Sequence, residues 1–271
     1  MSIRATHCAL RLGDNLAALH FLRKLAIKYP DETFVHYAHP EYLPQLVDVV
    51  ADLTNVGLGN LPAISQPGSS KWTLKPHPEI HSVDTWKNAE GFWESHPLKW
   101  DYGPFMVAFY LELARRMNLE SPVKTTRDLL FDFPALKPAK PPCEPFDFLI
   151  VNSEPQSGQF RHYNDGQFEE LIAMLARKYH VVTTQRNRLN VTCTETAMLN
   201  ITQIGHLSQF CRAIIMVATG PSWLTFNPWN ADSVKLRVIL SGNETVNLAP
   251  HTIHTNKVYA VRDILMSCGY L

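Results

Sequence analysis

Thirteen residues near mid-chain, Phe133 to Pro145, contain five prolines, at positions 134, 138, 141, 142 and 145. Proline fixes φ and has no backbone N–H, so neither a helix nor a central strand crosses such a segment. Residues 136–145 read as a stiff, extended linker between halves of similar size, 1–135 and 146–271. A proline-rich surface loop within one large domain is the competing reading. At 271 residues the chain is long enough for either arrangement.

Both halves share one grammar. In the first, the apolar stretch Cys8–Leu12 is expected as a strand, with Gly13-Asp14-Asn15 as the turn that follows. Leu16, Leu19, Leu22, Leu25 and Ala26 then recur at helical spacing, and Pro30 closes the helix. Thr33–Ala38 has strand composition and Glu41–Leu53 reads as a second helix. In the second half, Phe146–Asn152 is expected as a buried strand. A helix with Phe168, Leu171, Ile172 and Leu175 on one stripe follows, with Asp165 as its cap. His180–Thr184 and Ala213–Ala218 return as strands. Repeated strand–helix–strand units predict an α/β protein of two Rossmann-like, doubly wound parallel-sheet domains facing a cleft. Residues 63–105 break the pattern, with Trp72, Trp86, Trp93 and Trp100 in a segment of little periodicity. Such an insertion is either an acceptor-binding loop or a packed surface excursion.

Composition narrows the function classes. Hydrophobic residues at 45% and charged residues at 18% describe a chain with a core, against disorder. Lys+Arg and Asp+Glu are both 25, so the basic excess that usually accompanies duplex binding is missing. No run approaches the ~18 apolar residues of a membrane helix. Met1–Leu12, with Arg4, His7 and Arg11, lacks the apolar core of a signal peptide. Five scattered cysteines without a CxxC read as reduced thiols in a cytoplasmic compartment. On that basis the sequons at Asn190, Asn200 and Asn243 read as chance. With no cluster of metal-ligating residues and no glycine fingerprint for NAD, neither metal nor resident cofactor is expected.

Three places carry candidate chemistry. Gly13 lets the backbone approach a ligand, and the helix N-terminus after it offers N–H groups to an anion. Asp14 there is placed either to act as a base or to cap the helix. Thr219-Gly220-Pro221-Ser222 ends a strand, where hydroxyls and amides suit a diphosphate, although an ordinary turn has the same residues. The polar loop Ser153–Arg161, with Ser157, ends in a cation whose planar fork matches a diphosphate or else faces solvent.

Together these pieces resemble the heptosyltransferase-like glycosyltransferases of family 9. The matching segments are Arg11–Leu22, Leu207–Ala213 and Ala218–Leu224, with the helix after Asp165; the Trp-rich middle is not covered. The resemblance implies a GT-B fold and inverting, metal-independent transfer from a nucleotide-sugar to an acceptor hydroxyl. It places the family's base on Asp14 and its diphosphate loop on Thr219, Gly220 and Ser222. Gly13, Asn15, Ser153, Ser157 and Arg161 are the accompanying donor-binding candidates. The acceptor, for which the four tryptophans are candidates, is a glycan, a lipid-linked sugar or a modified base. A C-terminal helix over Lys257–Met266 is expected to cross back onto the first half. Ala218 and Trp223 depart from the aspartate and histidine usual in the family, and the chain is short for it. Alternatives of the same architecture are a nucleotide-sugar epimerase-like enzyme, a glycosyltransferase acting on nucleic-acid bases (Lys71, Lys75, Lys87 and Lys99 lie among the tryptophans), and a non-catalytic binding protein.

Overall fold

The computed structural model describes residues 3–8, 10–61, 80–85, 92, 95–137, 144–155, 160–242 and 245–271. Trp72, Trp86, Trp93, Ser157, Lys71, Lys75, Lys87 and the prolines at 138, 141 and 142 lie outside the described residues. The chain divides into two compact units, Met1–Ala135 and Leu136–Leu271.

The first unit holds a parallel sheet of β1 (Ile3–His7), β2 (Thr33–Ala38), β3 (Val56–Asn60) and β4 (Ile80–Asp84), in the order β3-β2-β1-β4. Helix α1 (Leu12–Lys28) follows β1, and the leucines of the expected stripe, Leu16, Leu19, Leu22 and Leu25, are all fully buried. The beginning differs from expectation. The strand is Ile3–His7 rather than Cys8–Leu12, so Gly13, Asp14 and Asn15 form the first turn of α1. A search for apolar residues misses β1 because Thr6 and His7 are polar yet buried. Helix α2 (Leu43–Val50) is shorter than Glu41–Leu53, and admits Pro44 because the first turn requires no N–H there. Helix α3 (Tyr102–Arg116) buries Phe105, Phe109 and Leu113.

Among the described residues the second unit contains six parallel strands: β5 (Phe146–Val151), β6 (Val181–Thr183), β7 (Thr192–Cys193), β8 (Cys211–Val217), β9 (Leu236–Leu240) and β10 (Thr252–Thr255). Their order is β10-β9-β8-β5-β6-β7. Helix α4 (Asp165–Ala176) buries the expected stripe of Phe168, Leu171, Ile172 and Leu175. Its N-cap is Asn164, whose side-chain oxygen accepts from Gln167 N–H at 3.0 Å, and not Asp165, which is the first helical residue. Helices α5 (Ile201–Leu207), α6 (Gly220–Trp223) and α7 (Ala260–Ser267) complete the unit. Helix α7 buries its apolar face in the second unit. Val258, Val261 and Leu265 share one core with Phe148, Ile150, Phe168 and Ile215. An amphipathic helix has one apolar stripe, and here that stripe is buried. Among the described residues no helix is long and apolar enough to cross a membrane.

Gly205, on α5, marks a close approach. A Cβ there would lie 2.7 Å from Leu224 Cβ and 2.9 Å from both Leu224 O and Leu136 Cδ2. Backbone oxygen cannot rotate aside as a side chain can. Gly205→Ala is therefore expected to destabilise the second unit by about 2 kcal/mol, the usual cost of overpacking. Urea unfolding measures it, and an unchanged midpoint would show that α5 shifts freely.

Candidate functional site

In the first unit the strand order reverses at β1, with β2 and β3 on one side and β4 on the other. Open α/β sheets bind ligands outside the carboxyl ends of the strands at such a reversal. The chain leaves β1 there and enters α1, placing Asp14 in the helix's first turn. Asp14 Oδ2 accepts a hydrogen bond from Arg11 N–H at 3.2 Å, so one oxygen does cap the helix. Burial pushes the carboxyl from its usual value near 3.8 up to about 6; the amides of Arg11 and Asp14 and the Arg11 charge oppose the rise. One carboxylate thus caps the helix and has a pKa raised toward neutral.

Below Asp14 lies a polar network that sequence reasoning missed. Asn15 is fully buried, and its amide donates to Leu10 O at 3.2 Å and Arg11 O at 3.0 Å. Its Oδ1 therefore faces His36 Nε2, 3.0 Å away. That nitrogen carries the proton, and Nδ1 accepts from the Thr6 hydroxyl at 2.9 Å. Burial and, secondarily, His7 lower the pKa of His36 to about 3, so the ring is neutral at physiological pH. Asn15, a donor-binding candidate in the sequence, is instead committed to holding the 10–11 loop and the entry to α1. Gly13 is likewise buried within that turn. Tyr110 of α3 stacks on Phe21 at 4.5 Å and donates its hydroxyl to Ala17 O at 2.6 Å. Burial, with a smaller contribution from the Asp14 charge, raises its pKa, so the phenol remains a donor.

In the second unit the order reverses at β5, between β8 and β6. Val151 pairs with Met216, so Ser153 follows one central strand and Thr219 the next. The topology brings Ser153 to the same sheet end as Thr219 and Gly220. Ser222 is placed differently: its hydroxyl donates to Thr219 O at 2.6 Å and accepts from Thr219 N–H at 3.0 Å. Only 4% exposed, Ser222 closes the turn; Thr219, whose hydroxyl donates to Val217 O at 3.4 Å, and Gly220 are its half-buried residues. Arg161 is exposed and makes no ion pair among the described residues.

Beside this end, Asn152 ties β5 to β6. Its Oδ1 accepts from Thr184 N–H at 3.2 Å, Thr184 Oγ1 at 3.2 Å and Gln185 N–H at 2.9 Å. Next to it opens a cavity of about 750 Å³, lined by Asn152, Gln185, Arg186, Arg188, Glu169 and Glu195 among others. Glu195 and Glu169 accept from the backbone N–H groups of Arg186 and Arg188, both at 2.9 Å, which fixes the loop carrying the two cations. No sequence motif marked these residues, because their meeting depends on strand order. Of the four tryptophans, Trp100 is described; it is 46% exposed, with the Lys99 ammonium 6.0 Å from its ring centroid. Among the described residues no three His, Cys, Asp or Glu side chains group as a metal site needs.

No protein-family model and no curated protein matches the sequence. Solved structures do. The E. coli heptosyltransferase WaaC with ADP-2-deoxy-2-fluoro heptose is 13% identical, with 98% of this chain and 100% of that chain covered and a TM-score of 0.55. The glycosyl transferase family 9 structure from Veillonella parvula DSM 2008 is 12% identical, covers 98% and 88%, and has a TM-score of 0.53. For the E. coli ADP-heptose lps heptosyltransferase II the values are 14%, 94% and 90%, with a TM-score of 0.52. Over nearly its whole length, then, the chain has the GT-B fold of heptosyltransferases and family 9 glycosyltransferases.

Proposed function

We propose that this protein is an inverting, metal-independent glycosyltransferase that moves a sugar from a nucleotide-sugar to an acceptor hydroxyl. The observation that carries this reading is Asp14, a carboxylate with a pKa of about 6 at the strand-order reversal of one sheet, in a chain with the fold of heptosyltransferases. In the proposed step the acceptor oxygen forms its bond to the anomeric carbon as Asp14 takes the hydroxyl proton. The bond from that carbon to the diphosphate oxygen breaks, and its electron pair leaves with the nucleotide. Thr219, the Gly220 amide, Ser153 and Arg161 meet the leaving charge. The nucleoside occupies the cavity beside Asn152, whose volume is within the usual ~300–1,000 Å³ of small-molecule sites. The unbridged thiols of Cys193, Cys211 and Cys268 support a reducing, cytoplasmic setting.

Thermal-shift and calorimetric titration with ADP, UDP, GDP, CMP and TDP tests the donor site, repeated on Arg161→Ala. Selective binding of one nucleotide, weakened about tenfold by the substitution, is expected from loss of a charge-assisted contact. Absence of binding at millimolar levels would sink the donor site. A base with a pKa of about 6 also sets a pH profile: kcat/KM should fall about tenfold per pH unit below 6 and level off above it. A profile flat from pH 5 to 8 would remove Asp14 from the role. The departures at Ala218 and Trp223 favour one second reading, a binding protein of this fold, which would take up nucleotide and show no turnover.

A further inference from the structure

Arg237 is the second residue of β9 and is fully buried. Among the described residues no carboxylate forms an ion pair with it, although a buried cation is costly without a partner. Its Nη2 donates to Asn230 O at 2.7 Å and Asn230 Oδ1 at 3.1 Å; its Nη1 donates to Ala231 O and Pro250 O, each at 3.4 Å. An apolar residue would fill β9 at lower cost, so these loop carbonyls are what the guanidinium serves.

The bonds continue outward. Asn230 Nδ2 donates to Thr225 O at 2.9 Å and Ser208 Oγ at 2.7 Å. Thr225 Oγ1 donates to Ser222 O at 2.6 Å, and Ser222 Oγ to Thr219 O at 2.6 Å. Arg237, Asn230 and Thr225 are fully buried and Ser222 is 4% exposed, so water does not compete along the chain of bonds. Its outer end is the half-buried Thr219-Gly220 turn at the strand-order reversal. Helix α6 has four residues, too few to hold that turn by its own backbone bonds.

We infer that Arg237 is a positioning residue, which through Asn230, Thr225 and Ser222 holds the Thr219-Gly220 turn in the geometry that receives the donor's diphosphate. This rests on the donor-site reading above, and adds to it the element that fixes the turn. It also separates two parts of the ligand: the turn serves the diphosphate, while the cavity beside Asn152 is built from other bonds.

The test uses the full chain with Thr225→Val, Thr225→Ser and Arg237→Met. Valine matches threonine in shape, and Ser222 O keeps its bond from Thr225 N–H at 3.1 Å, so Thr225→Val should fold with little change in Tm. Two measurements are made: hydrogen exchange at the amides of 219–226, and affinity for ADP against adenosine. In Thr225→Val, exchange at 219–223 should rise and ADP binding weaken about three- to tenfold, as for one lost hydrogen bond. Adenosine binding should be unchanged, and Thr225→Ser should restore both properties. Arg237→Met, if folded, should show the same pattern more strongly. Unchanged exchange at 219–223 in Thr225→Val would overturn the inference whatever nucleotide does. Faster exchange with unaltered ADP affinity would also overturn it, since the held turn would not be the diphosphate site. Failure of the unmodified protein to bind any nucleoside diphosphate is separate: it removes the donor-site reading and, with it, this use of the turn.

Discussion

Asp14→Asn is expected to lower turnover by about 10²–10⁴-fold, the usual contribution of a positioned base, while making the protein more stable above pH 6. The two effects share a cause. The folded chain binds the Asp14 proton more tightly than the unfolded chain does, because burial raises the carboxyl from 3.8 to about 6. A group raised in this way favours folding when protonated, and that contribution disappears as pH rises through 6. At neutral pH the ionised carboxylate therefore works against folding, by about 1–2 kcal/mol once screening at a partly exposed site is included. Asparagine removes the charge, and its Oδ1 still accepts from Arg11 N–H. Urea unfolding at pH 7.5 and pH 4 should show the variant ahead at the first and level with the parent at the second. Full turnover in Asp14→Asn would end the assignment of the base.

The second large effect concerns the scaffold under Asp14. His36 is buried and neutral with a pKa lowered to about 3, and burial lowers His20 to about 4 despite its 3.1 Å bond to Asp132. Here the sign is opposite to that of Asp14. On unfolding, both rings regain a pKa near 6.5 and take up protons, so stability falls as pH drops from 6.5 toward 3. After allowance for the opposing gain at Asp14, the loss should be on the order of 5 kcal/mol, a large share of a typical domain's stability. Thermal melts between pH 7 and pH 3 should therefore collapse in mild acid. His36→Gln retains a donor toward Asn15 but cannot titrate. It should cost about 1 kcal/mol at pH 7 and shrink the acid-dependent loss. A pH dependence identical to the parent's would place the sensitivity elsewhere.

These two predictions also show which parts of the molecule were legible in the sequence. The leucine stripe of α1, the Phe168–Leu175 stripe of α4 and the β-branched run of β8 are written in local periodicity, which needs no partner to be read. The turn at Thr219 was visible as structure because a strand-to-helix junction is itself a local signal. Strand β1 was misplaced because Thr6 and His7 belong to its buried positions, and β9 escaped notice with an arginine at its second residue. In both cases a polar side chain is buried against hydrogen-bond partners outside its own strand, His36 of β2 for Thr6 and the Asn230 loop for Arg237. Composition registers the polarity and cannot register the partner. Asn15 and Ser222 were assigned to the ligand for the same reason: their commitments to loop carbonyls exist only once the turns are folded.

The strand orders carry a consequence for how the protein comes into being. In each unit the first strand to be synthesised, β1 or β5, becomes an interior strand of the sheet. β5 pairs with β6 about 30 residues later and with β8 about 60 residues later, and β1 has a similar wait for β4. Until those partners emerge, the nearly continuous apolar run Phe148–Val151 has an unpaired edge on both sides. Non-local parallel pairing is slow to form, so each unit passes through a stage in which its future centre is its most adhesive surface. The order of translation, and the chaperones present while it proceeds, thus bear on the yield of native protein as directly as any contact in the finished fold.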